Sequence, residues 1–165
     1  MISALLLGCT PTPEKNAQEV APLPVPPAPP APAPTLRTEW AFNTQNNQCV
    51  ATAAAGATAL RVTVRREAPI RLDVSLAPQF THDPVVPLRF VGPAGGWQVT
   101  AHQVGKTDLS VTLGSDNVAL SHVLVLLSGG TLNVGTPPQA VVSLAIRPSD
   151  TSGQNWFDCA REKLL

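Results

Sequence analysis

The chain lacks what several large functional classes require. It contains no tyrosine, only 13% of its residues are charged, and 11 Lys and Arg are balanced by 11 Asp and Glu. Without a basic excess there is no electrostatic surface for phosphates, so we expect no nucleic-acid partner. No apolar run approaches the roughly 18 residues of a membrane-spanning helix. Composition therefore argues against nucleic-acid binding and against a helical span.

Catalytic and cofactor motifs are also missing from the sequence. It has no GxSxG nucleophile elbow, and Ser128-Gly129-Gly130 lacks the preceding glycine. Neither GxGxxG nor GxxxxGK[ST] occurs, so no phosphate-cradling loop is predicted. The three histidines, His82, His102 and His122, lie about twenty residues apart and have no metal-ligand spacing. We therefore expect no catalytic residue, no metal and no cofactor.

Proline, by contrast, is abundant and unevenly placed. Of 18 prolines, ten precede Thr35. This asymmetry divides the chain into a short apolar start (1–9), a Pro/Ala-rich linker (10–35) and a globular domain (36–165). Proline removes amide donors and fixes φ, so the linker is predicted to be disordered and to favour polyproline II. At about 3.1 Å per residue, its Pro-rich part (22–34) gives a stalk of about 40 Å.

The apolar start resembles a bacterial lipoprotein signal. Leu6-Leu7-Gly8-Cys9 is similar to a lipobox, in which a small residue precedes the cysteine that receives the lipid. A signal also needs a positively charged region, yet no Lys or Arg occurs before Lys15, so that region is expected upstream of Met1. The alternative is a free N-terminus on which Cys9 carries no lipid.

Two further cysteines, Cys49 and Cys159, lie in the globular domain. With Cys9 lipidated, an even number remains, as expected for an exported protein with a disulfide. Neither cysteine has a CxxC partner, which argues against zinc-ribbon and thioredoxin-type sites. The alternative is two buried thiols in a cytosolic protein.

Short alternating runs predict a mostly β, antiparallel domain, either a sandwich or a barrel-like sheet. The clearest runs place Leu60, Val62 and Val64 on one face, and Ile70, Leu72, Val74 and Leu76 on the inner face of the next strand. Further strands are expected at the ranges 39–43, 48–53, 86–91, 96–101, 108–113, 131–134 and 140–146. Acids and arginines on the outer faces, Asp73 among them, are expected to pair across strands.

One or two short helices interrupt this pattern. Ser115-Asp116 can cap a helix that runs to Ser128 and ends at Gly129-Gly130. The stripe expected to face the core is Val118, His122, Val123, Leu126 and Leu127. The run 123–127 also fits a buried strand. A second helix, capped by Ser152, is expected from Gly153 to Leu164, so that Cys159 can reach Cys49.

These features together resemble a family. They are Trp40 in the first strand, Cys49 soon after it, the helix–glycine–strand step at 126–134 and a final helix with Cys159. The set is similar to the small exported β-rich proteins of alphaproteobacteria related to the invasion-associated locus B protein. The resemblance spans 38–163 and implies an envelope β-sandwich with a disulfide. It carries over no catalytic residue.

The functional hypothesis is a lipid-anchored envelope protein that acts by binding or structural association, without catalysis. We expect the outer rather than the inner membrane, a domain facing the periplasm, and another envelope protein as partner. Candidate contacts are Trp97, which follows Gly95-Gly96, and Arg61 with Arg65, which could meet an anionic lipid headgroup or glycan phosphate. The alternatives are a periplasmic enzyme or enzyme inhibitor with a site that no motif reveals, and a cytosolic protein.

Overall fold

The computed structural model describes residues 35–45, 47–77, 83–136 and 142–164. All of them belong to one compact unit. Cys9, His82 and the linker as far as residue 34 lie outside the described residues. Thr35, the expected last residue of the linker, is the first residue of a strand.

The described residues form ten strands and two helices. Both helices were expected, and the run 123–127 is helical. The elements in chain order are β1 (Thr35–Arg37), β2 (Glu39–Gln45), β3 (Gln48–Ala55), β4 (Thr58–Arg65), β5 (Ile70–Ser75), β6 (Val85–Gly92), β7 (Gly95–Gln103), β8 (Asp108–Gly114), α1 (Asn117–Leu127), β9 (Gly130–Val134), β10 (Val142–Ile146) and α2 (Thr151–Leu164).

The strands form one sheet in the order β1-β10-β9-β6-β7-β8-β5-β4-β3-β2. Every pairing is antiparallel except that of β1 with β10, which is parallel. The sheet curls into a nearly closed barrel, so of the two predicted arrangements the barrel-like one is confirmed. Closure matters because an open sheet would expose two unpaired edges.

A single stretch of chain brings the two edges of the sheet together. β1 pairs with β10, and after Thr38 the same stretch continues as β2, which pairs with β3 at the opposite edge. Thr38 is fully buried at this junction and donates from its backbone N to the carbonyl of Ala145 at 3.0 Å. The junction therefore ties both edges to one point.

The barrel interior is filled by the alternating residues that the sequence predicts. Leu60, Val62 and Val64 on β4 and Ile70, Leu72 and Val74 on β5 are all at most 1% exposed, and the predicted assignment of these two faces is confirmed. Pairing in register places Leu60 opposite Val74, and Val62 opposite Leu72. Such pairs of β-branched and long aliphatic side chains stabilise adjacent strands.

Close backbone packing explains the two glycines after α1. Gly129 has φ +84°, which lets the chain leave the helix, and Gly130 has φ +153°. A Cβ on Gly130 would overlap the carbonyl oxygen of Val91. Only glycine therefore lets β9 start this close to β6.

α2 packs against β2, β3 and β4. It begins at Thr151, two residues before the predicted start, and Asp150 rather than Ser152 caps it. The Oδ1 of Asp150 accepts a hydrogen bond from the backbone N of Ser152 at 2.9 Å. Trp156 and Ala160 are buried. Of the two helices in the described part of the chain, neither is long and apolar enough to cross a membrane.

Candidate functional site

The outward face of α1 is the most unusual surface of the domain. The helix is capped by Asp116, whose Oδ1 accepts a hydrogen bond from the backbone N of Ala119 at 2.8 Å. Its sequence, NVALSHVLVLL, has no charged residue. A surface helix normally carries charged residues on its solvent side, so this composition is that of a helix covered on all sides.

In the described structure, α1 is covered on one side only. Ala119, Leu120 and Val123 are buried, together with Leu126 and Leu127. On the other side, Val118 is 61% exposed and Leu124 is 52% exposed. The predicted core stripe was therefore wrong about Val118, which faces outward. Eight of the eleven residues of α1 are apolar, so the sequence pattern distinguishes its two faces poorly.

Trp97 lies beneath α1, and the prediction of an exposed contact there was wrong. It is only 8% exposed, and its indole Nε1 donates to the carbonyl of His122 at 3.0 Å. Its ring stacks on Phe90, its register partner on β6, with centroids 5.5 Å apart. Trp97 therefore supports the helix that carries the exposed apolar residues.

The apolar surface continues from α1 into a groove beside α2. This groove has a volume of about 500 Å³, and its walls include Leu124 and Leu127 from α1, Phe157 from α2 and Pro148 between them. Ala94, in the turn between β6 and β7, lines the same groove. We call the exposed residues Val118 and Leu124 with this groove the α1 surface.

The predicted arginine patch is exposed, but its side chains do not form the cross-strand ion pairs that were expected. Arg61 and Arg65 are both exposed on β4, and Arg65 donates from Nε to Oε1 of Gln48 at 3.1 Å. The ion pair of Asp73 lies within β5, to Arg71 at 2.7 Å, rather than across strands. Arg61 is the register partner of Asp73 but forms no ion pair with any described residue.

Arg61 lines a groove of about 340 Å³ that also contains Asp73, Ser75 and Asp108. Ser75 donates to Asp108 at 2.7 Å. The two acids of this groove already have partners, and together they balance its two arginines. Its charge is therefore weak support for an anion-binding surface.

The two histidines that the structure describes, His102 and His122, do not come together. His102 is exposed on β7, opposite Ser110, while His122 is half-buried on α1 with its ring 5.5 Å from that of Trp97. The Nδ1 of His122 is buried and has no hydrogen-bond partner in the described part of the chain. Among the described residues, no three His, Cys, Asp or Glu side chains are grouped as metal ligands would be.

The predicted disulfide is confirmed. Cys49 on β3 is bonded to Cys159 on α2, with the two Cα atoms 6.3 Å apart and 110 positions apart in sequence. Beside it, Phe42 lies between Trp40, with centroids 5.5 Å apart, and Trp156, with centroids 6.2 Å apart. Disulfide and aromatic contacts together fix α2 against β2 and β3.

Sequence reasoning missed the contribution of Leu124 because it identified α1 only as a core helix. The signal was available: α1 has no charged residue, which is unusual for a helix with a solvent-exposed side. Comparison of the chain with family models, with curated proteins and with solved structures finds no match. The assignment of a function therefore depends on the chemistry of the described surfaces.

Proposed function

We propose that this protein is a non-catalytic, lipid-anchored bacterial envelope protein that binds another envelope protein through the α1 surface. The observation that carries the proposal is the uncharged helix with Val118 and Leu124 exposed. Leu124 borders the groove, and the exposed Ser121 lies between Leu124 and Val118 along the helix. Exposed apolar side chains beside a groove are common in protein-binding sites. The anchor is Cys9 and the stalk is the Pro-rich linker, as inferred from sequence.

The compartment is supported by the disulfide. A bond between Cys49 and Cys159 is stable in the periplasm and at the cell surface, whereas reducing systems of the cytosol keep thiols free. The outer membrane with the domain facing the periplasm fits a stalk of about 40 Å. The resemblance to the invasion-associated locus B proteins is part of the same proposal and points to the same compartment.

Lipidation is tested by replacing the acceptor thiol. We expect Cys9→Ser, expressed from the full reading frame, to move the protein from the membrane fraction to the soluble fraction, because a serine hydroxyl cannot accept the lipid. Immunoblots of fractionated cells measure this partition. The control is Cys49→Ala in the otherwise unchanged full-length protein, since this variant removes a thiol from the domain and leaves Cys9 in place. Membrane retention of Cys9→Ser would contradict the anchor.

Binding through α1 is tested by photo-crosslinking in living cells. A photoreactive phenylalanine at Leu124 is expected to give a discrete adduct, while the same group at exposed Arg66, in the turn after β4, gives none. Val118→Lys should reduce the Leu124 adduct about tenfold, because it places a charge in an apolar contact. Equal adducts at both positions, or none at Leu124, would argue against the α1 surface.

A further inference from the structure

A second surface, separate from α1, lies at the outer edge of β2, which pairs with no other described strand. β2 ends the sheet order, and β3 is its one strand partner among the described residues. On the other side, the chain after β10 follows β2 only briefly: the indole Nε1 of Trp40 donates to the carbonyl of Arg147 at 2.7 Å. From Ala41 to Gln45, no described segment pairs with that edge.

The register shows which backbone groups face outward. Residues 46 and 47 connect β2 to β3, and Gln45 pairs with Gln48. In a hairpin with a two-residue turn the flanking pair is hydrogen-bonded, and bonded pairs then alternate along the strand. Asn43 is therefore bonded to Val50. The N–H and C=O groups of Phe42 and Thr44 point away from β3, and no backbone group in the described part of the chain pairs with them.

Within the described ranges, the edge of β2 lacks several of the usual protections against a new strand. Proteins protect exposed edges with short strands, lysines, prolines or bulges. β2 is seven residues long, with the sequence EWAFNTQ, and has none of these features. Ala41, Asn43, Thr44 and Gln45 are all exposed. Such an edge fits β-augmentation, in which an extended peptide pairs with the backbone and places alternate side chains in pockets.

A groove lies where those alternate side chains would fall. Phe42 and Thr44 project to the same side of the sheet as their partners Ala51 and Cys49, which is the side that α2 covers. Together with one face of α2 they line a groove of about 450 Å³. Phe42 also lines an adjoining groove with Trp40, and the wall of that groove includes Glu39 and Arg147.

The acidic side chains of this groove favour a positively charged occupant. Asp158 and Glu162 line the main groove, which has no basic residue in its wall. Asp158 is held by Arg161 at 3.2 Å, whereas Glu162 forms no ion pair with any described residue. An occupant with a lysine or arginine directed toward α2 would pair with Glu162.

A second copy of this chain fits the site poorly. Pairing of two β2 edges would bring a second α2 to the same side, and each α2 carries Asp158 and Glu162. Like charges facing each other across an interface oppose association. A separate peptide segment brings no second helix.

We propose that the β2 edge and the facing side of α2 bind an extended segment of a partner protein. On its groove side, this segment has an apolar residue beside Phe42 and, two positions along, a lysine or arginine toward Glu162. The segment gains backbone hydrogen bonds from Phe42 and Thr44. This site is independent of the α1 surface, and either can be correct without the other.

The test uses the fluorescent peptide TTVTKTVTT and the disulfide-bonded protein, with anisotropy as the readout. Saturable binding below about 1 mM is expected. Thr44→Pro should abolish it, because proline removes the outward N–H and is tolerated on an edge strand. Glu162→Lys should weaken it about tenfold, with Glu67→Lys, in the β4–β5 turn and outside the wall of the groove, as the charge-matched control. The peptide TTVTETVTT should bind at least tenfold more weakly.

Absence of saturation at about 1 mM overturns the proposal, as does equal binding of the lysine and glutamate peptides. Unchanged affinity in Thr44→Pro overturns it as well, and circular dichroism checks that this variant is folded. If Thr44→Pro is unfolded, the peptide affinity of Glu162→Lys alone tests the proposal. Sedimentation velocity tests whether a second copy of the chain occupies the site. A dimer that Glu162→Lys strengthens would identify a second copy and overturn the peptide site.

Discussion

Removing the disulfide, by Cys49→Ala with Cys159→Ala, is expected to lower the free energy of unfolding by about 4–5 kcal/mol under oxidising conditions. The bond joins residues 110 positions apart, so it restricts the unfolded chain over most of the domain. In the chain-entropy description, a crosslink that closes a loop of that length lowers the entropy of the unfolded chain. Removing it therefore lowers the stability of the folded state by about this amount. Denaturant unfolding followed by circular dichroism measures the difference.

The comparison with reducing conditions separates the bond from side-chain packing. Cys49 is fully buried, so its replacement by alanine also leaves a small cavity in either condition. With a reductant present, the parent protein and the double variant should therefore differ by only about 1 kcal/mol. Equal losses with and without reductant would show that packing, rather than the crosslink, stabilises α2 on the sheet.

Trp97→Ala is expected to lower the free energy of unfolding by about 3–5 kcal/mol, the range for removing a buried aromatic side chain. The variant removes the stack on Phe90 and the hydrogen bond to the carbonyl of His122. It also leaves a cavity under α1. Equilibrium unfolding in denaturant measures the change, with the slope checked for two-state behaviour.

Trp97→Phe provides the matched control. It retains an aromatic ring against Phe90 and removes the indole donor, so its loss should be about 1–2 kcal/mol. A change within about 0.5 kcal/mol for Trp97→Ala is typical of surface positions and would restore the hypothesis of an exposed contact. The pair of variants thus separates ring packing from the single hydrogen bond.

Local patterns were sufficient to predict much of the fold. The alternation in β4 and β5 fixed their inward faces, because a period of two leaves one choice of side. Asp116 and Gly129 marked the two ends of α1 through cap chemistry. The disulfide followed from counting cysteines. Each of these predictions depends either on residues close in sequence or on the even number of cysteines in the domain.

The predictions that failed concern side chains whose environment depends on tertiary contacts. Trp97 follows two glycines and looked exposed, yet it is covered by α1, whose His122 is 25 positions away. The carboxylate of Asp73 was expected to pair across strands, and a neighbour within β5 reaches it instead. The closure at Thr38 joins residues 107 positions apart. No local pattern indicates which distant segment covers a given face.

The junction at Thr38 has a mechanical consequence. Tension applied through residues before Thr35 would enter the domain at β1, whose three residues lie parallel to β10. Pulling along that direction loads their hydrogen bonds together in shear, rather than one after another as in peeling. Beyond them, the buried Thr38 still holds Ala145 through two hydrogen bonds. Force would therefore have to break this short clamp before it reached the hairpin of β2 and β3.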